Sequence, residues 1–195
     1  MFSVDNLCFS HYNGLMDKKI TDVLSCSMRG FRLPRYHEIP DVGLYLEQAT
    51  QYVNQCIRPL GFEDITGSMV RNYVKQGLIS NPVQKRYASH QIAHLIALAL
   101  LKQVTPLEHI NDLFLLLDRS GTYTVPVAYD YFCEELENIL YFRFGLKDVA
   151  EDVGITSSVE KEMLRSAITA VSHIVYLNRC FRLMAIDTPP GLPDE

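Results

Sequence analysis

The sequence predicts a mainly α chain with one small β-hairpin, and three observations carry that expectation. Apolar residues recur at helical spacing through most of the 195 positions. Helix start and stop signals frame those stretches. Only one short segment, near residues 79–87, reads as extended, and a turn-rich sequence opens it. At 48% hydrophobic and 21% charged residues, the composition is that of a soluble globular protein with enough length for one sizeable core or two small ones.

Residues 1–32 read as an N-terminal arm. Pro40 and Asp41 precede a helix in which Tyr45, Ala49, Tyr52, Val53 and Cys56 make a stripe, and residues 54–64 read as a long connection to the next helix. That next helix spans 67–76, with Thr66 or Ser68 as N-cap and Gly77 as its stop. Its two sides differ. Met69, Val70, Tyr73 and Val74 fall on one, while Ser68, Arg71, Asn72, Lys75 and Gln76 fall on the other. Ser80, Asn81 and Pro82 make a turn, Val83–Gln84–Lys85–Arg86–Tyr87 is short, basic and extended, Ser89 is placed to cap the apolar helix HQIAHLIALALLK, and Thr105 with Pro106 opens another helix.

Charge is unevenly spread. Formal net charge is -5, yet the local balances are -2 over residues 1–64, +5 over 65–107 and -8 over 108–195. Residues 65–107 contain Arg71, Lys75, Lys85, Arg86 and Lys102 but no Asp or Glu. Exposed charges are screened beyond about 8–10 Å at ordinary salt, so a basic face on an acidic protein can still bind a polyanion.

The order of elements, with VRNYVKQGLI, KRYASHQIAHL and LKQVTPLEHI, resembles the N-terminal winged helix-turn-helix of MerR-type bacterial regulators. Over roughly 33–117 the chain is more closely similar to a bacterial family known as a domain of unknown function and described as MerR-like. LPRY at 33–36, TGSMVRNYVK at 66–75 and YASHQIAHLIALALLKQV at 87–104 carry that likeness. The resemblance implies a MerR-like winged domain over 33–118 and a C-terminal helical region over 119–195 for dimerisation or for sensing an effector or protein partner. It implies double-stranded DNA as partner, Arg71 and Tyr73 against the DNA backbone, and Lys85, Arg86 and Tyr87 in the wing. The polar arc adds Ser68, Asn72 and Lys75, with the 67–76 helix in the major groove and the 79–87 wing on phosphates. A protein-interaction or adaptor module, with the basic face meeting an acidic partner, is the alternative. Three departures from the MerR pattern stand out: no Gly-Tyr-Arg at the wing tip, an Arg directly before the wing Tyr, and a connection over 54–64 longer than is usual.

Other motifs point away from catalysis. No Gly-rich phosphate loop, nucleophile elbow or paired Cys and His arrangement is present, so no enzymatic activity and no cofactor are expected. His90 and His94 lie four apart and share a helical face, but Gln91 stands where a zincin has Glu and no third ligand is evident; they read as surface histidines of a first turn, without a metal. Five scattered cysteines read as buried free thiols. Without a signal-like N-terminus or a run of about 18 apolar residues, a cytoplasmic location and no membrane partner are expected. Asp130, Glu134, Glu135 and Glu137 read as a solvated acidic face on a helix from Pro126 to about Phe144, and residues 146–153 read as a short helix with a likeness to the start of a second helix-turn-helix. Residues 158–184 form the longest periodic run. Met163, Ala167, Ala170, Ile174, Leu177, Phe181 and Met184 repeat every 3.5 positions on average, beside a second stripe of Leu164, Ile168, Val171 and Val175. The two stripes suit either the seam of a homodimer or a helix buried within its own chain.

Overall fold

A computed structural model describes residues 18–119, 121, 123–153 and 158–187. Helix α1 covers 18–28 and is followed by a 3₁₀ turn, Tyr36–Glu38, and strand β1, Leu44–Tyr45. Helix α2 is Leu46–Ile57, leading through a second 3₁₀ turn, Arg58–Leu60, to α3, Gly67–Lys75. Strand β2, Arg86–Tyr87, precedes α4, Ser89–Leu101, α5, Leu107–Arg119, α6, Val125–Arg143, and α7, Val159–Asp187. The chain is mainly helical, as expected.

Helix α4 is apolar nearly all round, and such a helix is stable only when surrounded. Leu95, Ile96, Leu98, Leu100 and Leu101 are fully buried, with α2, α5, α6 and α7 packed about it. Burying each such side chain contributes about 1.5–3 kcal/mol. One cluster of buried apolar residues runs from Leu24 and Met28 on α1, through α2 to α4, to Leu164, Ile168, Val171 and Val175 on α7. The core therefore continues across the positions 32/33 and 118/119 at which the sequence reading divided the chain. Residues 18–32 are not a free arm: Ser25 Oγ donates to the Phe144 carbonyl at 2.6 Å, and Phe31 and Leu33 are buried.

Several expectations are corrected. The two-stranded antiparallel sheet is not a hairpin within 79–87; it pairs Leu44 with Tyr87 and Tyr45 with Arg86, joining segments far apart in sequence. Within 79–87 there is one bridge, Val83 to Arg86, closed by a two-residue turn. Residues 54–57 belong to α2, so the connection to α3 is shorter than expected. No helix forms over 146–153, because α6 ends where the Leu146 amide donates back to the Tyr141 carbonyl at 2.8 Å, and the following residues serve as partners for α6 instead. The helix-turn-helix likeness there extends into 154–157, outside the described residues. Ser89 is the first residue of α4 rather than its cap; the cap is Ala88, whose amide donates to Gln91 Oε1 at 2.8 Å. Pro106 precedes α5 instead of opening it, its carbonyl accepting from the Ile110 amide. The α6 carboxylates are not all solvated: Glu134 is exposed and Asp130 half-buried, but Glu135 and Glu137 are buried and engaged. Cys133 is buried, Cys56 and Cys180 are half-buried, Cys26 is exposed, and Cys8 lies outside the described residues. No helix among the described residues is long and apolar enough to cross a membrane.

Buried Asn54 on α2 sets where α3 begins. Its Nδ2 donates to the Ile65 carbonyl at 3.0 Å, and its Oδ1 accepts from the Ile65 amide at 2.8 Å. Asn54→Ala leaves both backbone groups buried without partners, at a cost of about 1–3 kcal/mol. Denaturant unfolding is expected to show that loss, and Asn54→Asp, which turns a buried carboxylate oxygen toward the Ile65 carbonyl in place of the amide donor, is expected to destabilise as well.

Candidate nucleic-acid interface

Helix α3 is held from both ends. Thr66 Oγ1 accepts from the Met69 amide at 3.2 Å, which makes Thr66 the N-cap and leaves Ser68 exposed on the first turn. At the other end Leu78 donates to the Tyr73 carbonyl and Gly77 to the Val74 carbonyl, both at 3.0 Å, with Gly77 at φ +78. This is the Schellman closure that the positive φ of glycine permits. Between the ends, Val70 and Tyr73 are buried and Ser68, Arg71, Asn72, Lys75 and Gln76 are exposed. The division of faces follows the one read from the sequence.

The loop 83–86 stands beside this helix. Gln84 and Lys85 both have positive φ, at 49° and 64°, in a turn closed by reciprocal Val83 and Arg86 backbone hydrogen bonds. Such turns match strand twist but favour Asn and Gly, so this one holds two long polar side chains outward at some conformational cost. Arg86 is exposed yet engaged. Its guanidinium lies 4.5 Å over the Tyr45 ring, Nη2 donates to Tyr45 Oη at 3.2 Å, and Nη1 donates to the Gly43 carbonyl at 3.3 Å. Burial raises the Tyr87 hydroxyl pKa, and the Arg71 charge opposes that rise. Arg86 and Tyr45 thus border the same part of the surface, with Lys85 next to them in the turn.

Tyr73 and Tyr87 are each 3% exposed, so their rings pack beneath the face and show little of themselves on it. Aromatic rings this large are retained inside wherever they close a core. Lys102 also stands apart: its ammonium is half-buried beside Glu63, near α7, and burial lowers its pKa. Tyr45 was missed as a surface residue. It fell on the helical stripe of α2 in sequence, but lies one residue before that helix, 48% exposed beneath Arg86.

Residues 34–132 match the family described as Domain of unknown function (DUF1836). The chain belongs to that family. The matched span takes in the β1–β2 sheet, α2 to α5 and the first part of α6, so every residue of the candidate face lies within the DUF1836 segment. No curated protein and no solved structure matches the chain.

Among the described residues no group of three or more His, Cys, Asp and Glu side chains is placed to hold a metal. His90 is exposed, but His94 is half-buried against Phe114 and is not the surface histidine expected. Gln91, between them, caps α4 and donates from Nε2 to the Ser80 carbonyl at 2.7 Å. Burial pushes the Cys56 and Cys133 thiols up to about 12, which leaves them protonated and unreactive at neutral pH.

Proposed function

We propose that the chain is a DNA-binding transcriptional regulator, using a MerR-like winged helix-turn-helix with α3 in the major groove and the 83–86 turn on the phosphate backbone. The observation that carries this reading is the shared charge of the exposed side of α3 and of the 83–86 turn. Arg71 and Lys75 on α3 and Lys85 and Arg86 on the turn share one sign, within a stretch that contains no Asp or Glu from 65 to 107. Phosphates need that sign, and Asn72, Ser68 and Gln76 add side chains able to bond base edges or phosphate oxygens. Reading one half-site with one short helix is weak, so the proposal includes a homodimer joined through α7. Its location is proposed to be the cytoplasm, where such DNA lies.

Binding to random duplex DNA, measured by fluorescence anisotropy at several salt concentrations, tests the reading. Affinity is expected to fall steeply with salt, and Lys85→Ala to lower the magnitude of the log K against log salt slope by about 1. Arg86→Ala is expected to do the same, with a thermal melt to separate lost charge from the lost Tyr45 stack. Arg71→Ala or Asn72→Ala is expected to cost about 1–3 kcal/mol on a preferred site and much less on random DNA. A slope near zero in the unmodified protein would instead assign the basic face to an acidic protein partner.

A further inference from the structure

A cavity of about 300 Å³ opens between α4, α5 and α6, with Leu164 of α7 and the Gly77–Leu78 end of α3 in its wall. Its size is at the lower end of small-molecule sites, which run from about 300 to 1,000 Å³. Ala93, Ala97 and Ala128 leave the space, and the rings of Phe114, Tyr129 and Phe132 supply flat apolar walls around it. Such walls suit a planar ring better than an alkyl chain.

The polar groups there are few. His94 stacks at a tilt on Phe114, ring centroids 5.2 Å apart, and makes no hydrogen bond to another described residue. Burial lowers its pKa, with His90 adding to that and Asp118 opposing it, so the ring is neutral at pH 7 and offers one donor and one acceptor. Asn111, the carboxylate of exposed Asp118 and the hydroxyls of Tyr123 and Tyr129 are the other polar side chains there, and no Lys or Arg is among the described lining residues. An anion would meet Asp118 without a compensating cation, whereas an amine would meet its opposite charge.

We propose that this cavity binds a small aromatic molecule bearing a neutral or cationic hydrogen-bonding group, which Phe114 and Phe132 sandwich and His94, Asn111 and Asp118 orient. Since Gly77 and Leu78 close the C-terminal end of α3, a bound ring touches the residues that hold that helix in place. The link to DNA rests on the proposed function; the binding of the ring does not.

Calorimetric titration of the full chain with indole, tryptamine and indole-3-acetate tests the site. Indole and tryptamine are expected to bind, with tryptamine the tighter, and indole-3-acetate to bind about tenfold or more weakly than indole. Ala128→Phe fills the space from α6 and is expected to abolish binding. His94→Leu, which preserves bulk if the first variant folds poorly, is expected to weaken indole several-fold, and Asp118→Asn to remove the advantage of tryptamine over indole. Circular dichroism melts establish that each variant is folded. Failure of all three compounds to bind the unmodified protein overturns the proposal, as does binding that survives both Ala128→Phe and His94→Leu. Binding that weakens as protein concentration rises assigns the cavity to a second copy of the chain and overturns it equally. If DNA affinity is the same with and without saturating indole, the link to α3 fails while the ring site stands.

Discussion

Glu137→Ala is expected to destabilise the protein by about 3–5 kcal/mol, the cost of leaving one member of a buried ion pair alone. Glu137 Oε1 accepts from the Leu33 amide at 2.8 Å and from Arg35 Nη1 at 2.7 Å, and Oε2 accepts from Arg35 Nη2 at 2.7 Å. The bidentate pair ties the segment after α1 to the middle of α6. Without the carboxylate, the Arg35 guanidinium keeps the Leu33 carbonyl at 3.0 Å and a weak approach to Glu134 at 3.9 Å, and the Leu33 amide keeps nothing that matches the lost bond. Against a typical total of about 5–15 kcal/mol this is a large fraction. Urea unfolding should show a midpoint that falls with an unchanged slope. Glu137→Gln retains an acceptor for Leu33 and is expected to cost less. Glu137 raises the Arg35 pKa, and even without that partner a guanidinium ionises far above pH 9, so the deficit in Glu137→Ala should not be rescued by raising pH to 9. The double change Arg35→Met with Glu137→Leu removes both charges and should recover much of the stability. A cost below about 1 kcal/mol for Glu137→Ala would show that this pair is not buried as described.

These residues also show what was legible in the sequence and what was not. Local signals sufficed for α3. Its two faces, the Thr66 cap and the Gly77 stop all depend on neighbours within a turn or two, and the structure has them as read. The buried stripe of α7 was equally plain in its spacing, because helical periodicity encodes which side faces a core but not whose core it is. Nonlocal pairing was not readable. Strand β2 finds its partner at Leu44–Tyr45, and nothing in the KRY segment names a two-residue strand on the far side of two helices. The α6 carboxylates failed for the same reason: a run of acids reads as solvated until its partners, Arg35 and Arg165, arrive from distant segments. Tyr73 carried two signals, an apolar face by spacing and a DNA contact by resemblance, whereas Tyr87 carried only the resemblance. The burial of the Tyr73 ring at 3% exposure follows the spacing, and that of Tyr87, equally buried, had no local signal.

Leu177→Glu combined with Phe181→Glu is expected to convert a dimer into a monomer. Helix α7 uses Leu164, Ile168, Val171 and Val175 for its own core, all buried, which settles the use of one of its two stripes. The other is exposed at its ends, with Met163 45%, Leu177 46% and Phe181 64% exposed, while Ala167 and Ile174 between them pack partly against the core and Ala170 is half-buried. Apolar positions at 3.5-residue spacing form a straight seam only against another helix, and large apolar residues in a row on a surface mark contact sites. On the same helix, Arg179 Nη2 donates to the Pro59 carbonyl at 2.6 Å and Arg182 Nη2 to the Gly61 carbonyl at 2.8 Å. Gly61, at φ +83, leaves room for the Arg182 guanidinium where a Cβ would lie 2.8 Å from Nη1. The seam is thereby tied to the connection between α2 and α3, so pairing two α7 helices would hold two α3 helices at a set separation, as half-site recognition requires. Light scattering of the unmodified protein at tens of micromolar should give about twice the 22.3 kDa chain mass, and the doubly substituted protein that mass itself. Helix content should be unchanged, since both side chains are outside the core. DNA affinity should fall on the order of 100-fold, the loss that follows when two tethered contacts become one. A mass of 22.3 kDa for the unmodified protein would remove the dimer. A monomer that still bound DNA as tightly as before would separate the seam from the DNA face altogether.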